Sequence, residues 1–306
     1  MKFLKHIITD EYPFLLACPT FLWEFIFLYL PLFALLFFSF LDYGTTYDSL
    51  NFTLVHYTTI FKTIYFRVII DSFILATATA TLCFFIAYPV AYFLAMKVSK
   101  RFRTFLLFSL ILPSWTSLII QIYAWFFLLE KNGLLSRTLC QLKLISPTTH
   151  LLNNYFSILV GMVSCFLPFM ILPIYAVLEK MDKKFLEASA DLGAGRFETF
   201  KRVVFPISLP GVYTGFLLVF IPAFGEFAIP SMLGGAKNMF WGNAIVDKFL
   251  IACDWRSGSA LTSIGIFFPV CVLTCIYLIF KIIKAVRQPR YLKSAHAGQP
   301  FKDLLM

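Results

Sequence analysis

Charged residues are scarce in this chain of 306 residues. Asp, Glu, Lys and Arg together make up 14% of the sequence, whereas hydrophobic residues make up 60% and Phe alone occurs 38 times. Soluble domains contain about 25% charged residues, because their surface must be hydrated. The composition therefore excludes a soluble globular protein and indicates an integral membrane protein.

Sequence motifs for catalysis and cofactor binding are also absent. There is no G-x-x-x-x-G-K-[ST] motif, so no site for ATP hydrolysis is predicted in this chain. The four histidines are too scattered for a metal site, and no Ser/His/Asp set has a recognisable context. We expect no enzymatic activity, no metal and no cofactor in this chain.

Six apolar runs are long enough to cross a membrane. A helix of about 20 apolar residues spans the hydrocarbon core, and helices satisfy the backbone there. We expect the first run to be an uncleaved span, because Asp10 and Glu11 precede it and no small-residue cleavage site follows. The predicted spans are approximately 21–41, 70–96, 104–129, 155–178, 212–233 and 258–280.

The basic residues are distributed as expected for membrane loops. The formal net charge is +10, but the Lys and Arg residues form short clusters without the aromatic-interleaved basic face that nucleic-acid binding requires. With a cytoplasmic N-terminus, 18 of the 26 lie on the cytoplasmic side and 8 lie outside. The positive-inside rule therefore predicts that both termini are cytoplasmic, and no nucleic-acid partner is expected.

The seven cysteines are odd in number, and most lie within apolar runs. Such cysteines indicate small core residues. Cys140 and Cys253 fall in loops that are predicted to lie outside, and the sequence does not decide whether they form a disulfide.

The segment between the fourth and fifth predicted spans is too polar to enter lipid. Residues 185–192 can form a short helix with a small, apolar face, and Gly193 follows where a left-handed C-cap would end it. A second short helix is predicted over 196–204, and Pro206 and Pro210 are predicted to break the chain before the fifth span. From these patterns alone, the segment is either a protein-docking face or an amphipathic loop along the lipid headgroups.

The same segment resembles the EAA motif of ABC importer permeases. That motif reads E-A-A, three residues, G, nine residues and I-x-L-P. The departures, Ser189 for Ala, Val203 for Ile and Phe205 for Leu, are conservative in size or polarity. The residues that match the motif, and that the resemblance assigns to coupling with an ATPase, are Glu187, Ala188, Ser189, Gly193 and Pro206.

This resemblance implies an all-α integral membrane protein with six transmembrane helices in the type I importer permease fold, plus a cytoplasmic coupling helix. It implies a second permease subunit, a cytoplasmic ATPase dimer that binds ATP and Mg, and an extracytoplasmic substrate-binding protein as partners. The expected location is the bacterial inner membrane, and the expected mechanism is alternating access. The implied organisation is an N-terminal segment with the first span (1–64), a permease core (65–285) with the coupling loop 181–211, and a cytoplasmic tail (286–306).

A second resemblance concerns the substrate. Residues 222–263 are similar to the permeases of spermidine/putrescine importers, in which an acidic-aromatic-x-x-P-x-x-L-G-G stretch precedes a D-W-x-x-G-S-A stretch. The matching residues are Glu226, Phe227, Pro230, Leu233, Gly234, Gly235, Asp254, Trp255, Gly258, Ser259 and Ala260. The resemblance implies a polyamine substrate, and another small solute is the alternative.

Polyamines are cations, so a pathway for them should offer carboxylates and aromatic faces. Glu226 is the first candidate, because a carboxylate in a membrane helix usually faces a cavity or a partner. Aromatic rings supply cation–π contacts of about 0.5–2 kcal/mol. The predicted pathway residues are Glu226, Phe224, Phe227, Trp241, Asp254 and Trp255, with Asp247 near the outer end.

Each of these residues also has a structural interpretation. Glu226 would serve assembly if it paired with an Arg or Lys of a neighbouring subunit. Trp241 and Trp255 would be interfacial anchors, and Asp254 would cap the sixth span. Pro222 and Pro230, which flank Glu226, predict an irregular fifth helix, which membranes tolerate only against protein or water. Gly211 and Gly215 form a G-x-x-x-G pattern that predicts close helix packing.

Two other classes of membrane protein remain as rivals. One is a secondary carrier or channel driven by an ion gradient, and the other is a scaffold without transport. A carrier is expected to have paired intramembrane charges and an internal repeat, and the sequence shows neither.

Overall fold

The structure is a computed structural model that describes residues 12–43, 50–62, 64–146, 150–182, 184–235 and 238–287. Most of the predicted tail, 286–306, lies outside the described residues. The chain divides into two compact units, Met1–Leu261 and Thr262–Met306.

The N-terminal part is one long helical run followed by a small hairpin. Helix α1 (Tyr12–Glu24) continues through a π-helical turn, Phe25–Tyr29, into α2 (Leu30–Ser39). Two short antiparallel strands follow, β1 (Leu41–Tyr43) and β2 (Leu50–Phe52), in which Leu41 pairs with Phe52. The short helix α3 (Val55–Lys62) leads to the second span.

The middle of the chain is helical as well. Helix α4 (Tyr65–Met96) is followed by α5 (Lys100–Ile111), a 3₁₀ turn (Leu112–Trp115), α6 (Leu118–Leu129) and α7 (Leu134–Gln141). Helix α8 (Tyr155–Glu179) begins with a capping box. Asn154 Oδ1 accepts from the Ser157 N–H at 2.9 Å, and Ser157 Oγ accepts from the Asn154 N–H at 3.2 Å.

The C-terminal part contains the proposed functional segments. Helix α9 (Lys184–Asp191) precedes α10 (Arg196–Thr199), which runs through a π-helical turn, Phe200–Val204, into α11 (Phe205–Gly225). Helices α12 (Ala228–Leu233) and α13 (Trp241–Val246) follow, then a π-helical turn, Asp247–Ile251, and α14 (Trp255–Arg287).

The described residues contain six helices that are long and apolar enough to cross a membrane, which confirms the predicted number of spans. Their bounds are Ala17–Ser39, Tyr65–Met96, Leu118–Gln141, Tyr155–Glu179, Arg196–Gly225 and Trp255–Thr274.

The third predicted span, 104–129, is not one continuous helix. Helix α5 ends at Ile111, and the backbone is extended at Thr116 and Ser117 before α6 begins. Pro113 has no N–H to continue a helical ladder. The carbonyl of Pro113 instead accepts hydrogen bonds from Thr116 Oγ1 at 2.6 Å and Gln121 Nε2 at 2.5 Å. The Thr116 backbone N–H also donates to this carbonyl at 3.1 Å, so polar groups of the chain itself surround the acceptor at the break.

The prediction that Pro206 and Pro210 break the chain is wrong. The helix runs without interruption from Arg196 to Gly225, so it starts well before the predicted span of 212–233. The π-helical turn Phe200–Val204 lies directly before Pro206. Local π adjustments of this kind accommodate proline inside membrane helices. The break comes later, at Glu226 and Phe227.

The core is formed by α4, α8 and α11, which pack against one another. Close approach depends on small residues, as the G-x-x-x-G pattern predicts. A Cβ on Gly211 would lie 2.7 Å from the Pro173 carbonyl oxygen, and one on Gly215 would lie 2.8 Å from Met170 Sδ. Backbone opposes a larger residue at Gly211, whereas at Gly215 the Met170 side chain would have to move, so both small residues favour the close packing of α11 on α8.

Candidate functional site

The α9–α10 hairpin, residues 184–204, has the cap that the sequence predicts. Gly193 ends α9 in a left-handed conformation with φ of 77°. Its N–H donates to the Ala190 carbonyl at 2.8 Å, and the Ala194 N–H donates to the Ser189 carbonyl at 3.1 Å. Glycine adopts this conformation without steric cost, so the sharp turn after α9 follows from the sequence.

Four of the residues that match the coupling motif lie on this exposed hairpin, and the fifth, Pro206, follows it. Glu187 and Ala188 are exposed, whereas Ser189 is half-buried and its hydroxyl is 2.9 Å from Thr199 Oγ1. That contact ties α9 to α10. Pro206 is exposed in the first turn of α11. The hairpin is therefore held internally while its outer face stays free.

Apolar side chains project from this otherwise polar hairpin. Phe185 is 55% exposed, Leu192 is 88% exposed and Phe197 is 78% exposed. Exposed apolar residues grouped within a polar segment mark a surface that contacts another protein or lipid. The hairpin thus has the composition of an interaction surface.

Glu226 lies at the break between α11 and α12. Its backbone is extended, with ψ of 130°, and its side chain is half-buried. Glu226 Oε1 accepts a hydrogen bond from the Ala228 N–H at 2.9 Å, in the first turn of α12. A carboxylate is favoured at a helix N-terminus. Among the described residues, no Lys or Arg forms an ion pair with it.

Helix α13 supports the break from one side. A Cβ on Gly242 would lie 3.0 Å from the Glu226 carbonyl carbon and oxygen, and it would also meet the Gly225 carbonyl oxygen. Asn243 Nδ2 donates to the Phe227 carbonyl at 3.2 Å. The irregular backbone at Glu226 is therefore fixed by contacts with α13 as well as by its own carboxylate.

Gly242→Ala is expected to destabilise the protein, because backbone rather than a flexible side chain opposes the added methyl group. Overpacking of this kind lowers the free energy of unfolding by about 1–3 kcal/mol. The check is the thermal unfolding midpoint of the purified protein in detergent. Gly225→Ala is the matched control, since nothing lies within 4 Å of a Cβ at that position. Equal midpoints for both variants would contradict this prediction.

The four predicted aromatic residues differ in exposure. Phe227 is 46% exposed and Trp255 is 68% exposed, whereas Phe224 is 3% exposed and Trp241 is 1% exposed. The Trp241 backbone N–H donates to Ser72 Oγ of α4 at 2.7 Å. A buried Trp241 is not a free interfacial anchor. Phe227 and Trp255 present accessible rings, and Phe224 and Trp241 lie in the core beside the break.

Asp254 occupies the cap position that precedes α14. Asp254 Oδ1 accepts from the Ser257 N–H at 3.2 Å, and Oδ2 lies 3.3 Å from Lys248 Nζ. Burial raises the pKa of this carboxyl, but the Ser257 hydrogen bonds and the Lys248 charge outweigh it and hold the pKa below its usual value. The capping interpretation of Asp254 is confirmed. Asp247 begins the preceding π-helical turn.

Sequence reasoning missed the break in the third span. The signal was present, because Pro113 is followed by Ser114, Thr116 and Ser117 within an apolar run.

Cys140 and Cys253 are both free thiols in the structure, which therefore contains no disulfide between them.

Comparison with known proteins identifies the family. The model of the family described as "Binding-protein-dependent transport system inner membrane component" matches residues 87–293. The chain belongs to this family. The EAA-like hairpin and the six spans are therefore those of an ABC importer permease, which confirms the predicted fold class.

Several relatives carry the same printed name. The "Spermidine/putrescine transport system permease protein PotB" of Haemophilus influenzae is 36% identical over 272 residues, which cover 89% of this chain and 94% of the relative. The PotB protein of Escherichia coli K12 is 37% identical over 256 residues, which cover 83% of this chain and 92% of the relative. The Escherichia coli "Inner membrane ABC transporter permease protein YdcU" is 30% identical over 74% of each chain.

A solved structure shares the fold. It is the bacterial alginate ABC transporter in complex with an alginate pentasaccharide-bound periplasmic protein. Its matched chain superimposes with a TM-score of 0.73 at 18% identity, and the match covers 94% of this chain and 99% of that chain.

Proposed function

We propose that this chain is the transmembrane permease subunit of an ATP-driven importer for polyamines of the spermidine and putrescine type. The observation that carries the proposal is its similarity to permeases named for spermidine and putrescine, over 89% of this chain and 94% of the Haemophilus relative. The family match over residues 87–293 includes the break and its flanking loops, where a substrate would meet the permease.

The geometry at the break suits a cationic substrate. Glu226 is a half-buried carboxylate at an interruption of a membrane helix. Charges in such positions are costly and usually face a cavity or a pathway. The exposed ring of Phe227 follows directly and adds a face for a cation. Glu226 and Phe227 are therefore proposed as the pathway residues, with Asp254 and Trp255 nearer the outer end and Phe224 and Trp241 as buried support.

We infer that ATP and Mg bind to a separate cytoplasmic ATPase dimer. The sequence has no phosphate-binding loop of its own. The apolar residues Phe185, Leu192 and Phe197 on the α9–α10 hairpin give an ATPase cleft a surface to hold. Glu187, Ala188, Ser189 and Gly193 lie on the same hairpin. Pro206 follows in the helix that connects the hairpin with the break.

The first span supports a second permease subunit in the complex. In the most apolar 18-residue stretch of this span, Ala17–Ser39, no residue is buried within the described part of the chain. Its exposed face must contact lipid or another subunit. We propose that the substrate passes between two permeases by alternating access, after delivery by an extracytoplasmic binding protein.

The proposed location is the bacterial inner membrane, with both termini in the cytoplasm. This orientation places 18 of the 26 Lys and Arg residues inside. It also places the α9–α10 hairpin on the side where ATP is available.

ATP-dependent uptake of labelled spermidine and putrescine tests the proposed function. The complex of this chain with its co-encoded subunits is placed in vesicles, with ATP inside and the binding protein outside. We expect saturable uptake that unlabelled polyamines compete away and other small solutes do not. No polyamine uptake, together with ATPase activity that another binding protein and solute stimulate, would reject the substrate and keep the permease. Uptake that persists without ATP would contradict the ATP-driven mechanism.

A further inference from the structure

One arginine joins three segments at the end of the molecule where the α9–α10 hairpin begins. Arg103 lies in the first turns of α5. Its Nη1 is 3.0 Å from Glu179 Oε1, and its Nη2 donates to the carbonyls of Ala95 at 3.0 Å and Val98 at 3.2 Å. The guanidinium therefore links the last turn of α4, the turn that follows it and the last residue of α8.

The chemistry of this contact requires arginine. A planar guanidinium directs several fixed N–H donors at acceptors on two sides, which a lysine ammonium does not reproduce. Ala95 lies in the last turn of α4, where the carbonyls have no partner within the helix, and a cation there is favoured by the helix dipole. Arg103 thus caps α4 while it holds Glu179.

The Arg103 side chain is shielded, whereas Glu179 remains accessible. Their side chains are 14% and 45% exposed, respectively. Charged groups that are partly buried are screened less by salt than surface pairs. Within the described part of the chain, Arg103 Nε has no hydrogen-bond partner, so one buried donor is unused.

A cavity of 370 Å³ lies beside the pair. Its lining includes Met96 and Lys100 on one side and Leu178 and Met181 on the other. The cavity leaves space between the α4–α5 turn and the end of α8. Side-chain packing is incomplete at this point, and the contact through Arg103 spans the gap.

Glu179 lies next to the α9–α10 hairpin in the sequence. Glu179 is the last residue of α8, and α9 begins five positions later, at Lys184. At its other end the hairpin continues as unbroken helix into α11. The backbone thus connects the hairpin to α8 and α11. The Arg103–Glu179 pair connects the end of α8, which we call the root of the hairpin, to α4 and α5.

We propose that Arg103 is a positioning residue that fastens the root of the α9–α10 hairpin to α4 and α5, so that hairpin movement reaches α4 and α5 as well as α11. This inference rests on the proposed function of the hairpin as the ATPase contact. It assigns Arg103 no contact with substrate or nucleotide.

Arg103→Gln tests the inference, since it removes the charge and the two-sided donor fork. We expect the complex to assemble and to hydrolyse ATP, while the amount of solute taken up per ATP falls about five- to tenfold, a typical size for a lost coupling between sites. Uptake and ATP hydrolysis are measured in the same vesicles. Arg101→Gln is the matched control, because Arg101 is exposed on the same helix and its loss changes the net charge equally.

Variants of Glu179 separate positioning from a general effect on folding. Glu179→Gln keeps an acceptor for Arg103, so its uptake per ATP should stay near that of the unmodified protein. Glu179→Ala removes the acceptor and should match Arg103→Gln. The double variant Arg103→Gln/Glu179→Ala should be no worse than either single variant, because both changes remove the same contact.

Three results would overturn the inference. They are equal uptake per ATP in Arg103→Gln and Arg101→Gln, additive losses in the double variant, and failure of Arg103→Gln to assemble while Glu179→Ala assembles and couples normally. Failure of the proposed function looks different. If the proposed function fails, the unmodified complex takes up no polyamine. Uptake per ATP is then measured with the solute that does stimulate its ATP hydrolysis.

Discussion

Gly193→Asp should lower uptake at least about tenfold while the protein inserts into the membrane at its normal level. No atom of the described residues lies within 4 Å of a Cβ at this position, so the side chain itself has space, and the only strain comes from the left-handed φ of 77°. The backbone cost is about 1 kcal/mol, and Asp is among the residues that tolerate this conformation. The new carboxylate would, however, lie on the face that we propose to dock with the ATPase. An unpaired interfacial charge costs several kcal/mol, so uptake should fall at least about tenfold.

Two control variants separate charge from shape at this turn. Gly193→Asn has nearly the same size and the same tolerance for a left-handed backbone, but no charge. Gly195→Asp adds the same charge two residues later, at a glycine that also has open space around it. We expect Gly193→Asn to lose less uptake than Gly193→Asp, and Gly195→Asp to insert normally. Normal uptake by Gly193→Asp, measured beside its ATP hydrolysis, would reject the coupling role of the hairpin.

Glu226→Gln should lower polyamine uptake about tenfold without loss of the assembled complex. Gln retains an oxygen that can accept from the Ala228 N–H, as Glu226 Oε1 does at 2.9 Å, so the cap on α12 is kept. Only the negative charge disappears. Removal of one charged partner from a shielded cation contact costs about 1.5–3 kcal/mol, which corresponds to at least a tenfold effect. Labelled spermidine uptake over a range of concentrations measures the change.

The assembly interpretation of Glu226 gives a different result in the same experiment. If Glu226 pairs with an Arg or Lys of a neighbouring subunit, Glu226→Gln should reduce recovery of the complex by gel filtration, whatever the substrate. Glu226→Ala adds loss of the cap and should be less stable than Glu226→Gln in both cases. An intact Glu226→Gln complex with unchanged spermidine uptake would reject a pathway role for this carboxylate.

The number of spans could be predicted from the sequence because hydrocarbon imposes a simple requirement on length and polarity. The cap at Gly193 could be predicted because only glycine adopts a left-handed turn at no cost. In both cases, neighbouring residues in the chain determine the structure.

The helix ends could not be predicted because they depend on how the backbone compensates for proline. Pro206 and Pro210 read as helix breakers, yet a π-helical turn before Pro206 lets the helix continue. Pro113, by contrast, precedes an extended break, and Gln121 eight residues later satisfies its carbonyl. The presence of a proline alone therefore does not predict whether a helix continues or breaks.

Contacts between distant segments were also beyond sequence reasoning. Trp241 is buried where its backbone N–H donates to the hydroxyl of Ser72, which is 169 positions away. Arg103 meets Glu179 across 76 positions. A Trp near a membrane loop usually predicts an interfacial anchor, and a loop arginine usually predicts topology. Only packing reveals that these two residues have specific partners.

The uninterrupted helix from Arg196 to Gly225 connects the α9–α10 hairpin rigidly to the break at Glu226. Its 30 residues span about 45 Å at 1.5 Å per residue. A tilt of about 10° at the hairpin end would displace the other end by about 8 Å, more than the width of a polyamine chain. Under the proposed function, a small rotation that an ATPase imposes on the hairpin would be large enough to open or close a passage beside Glu226.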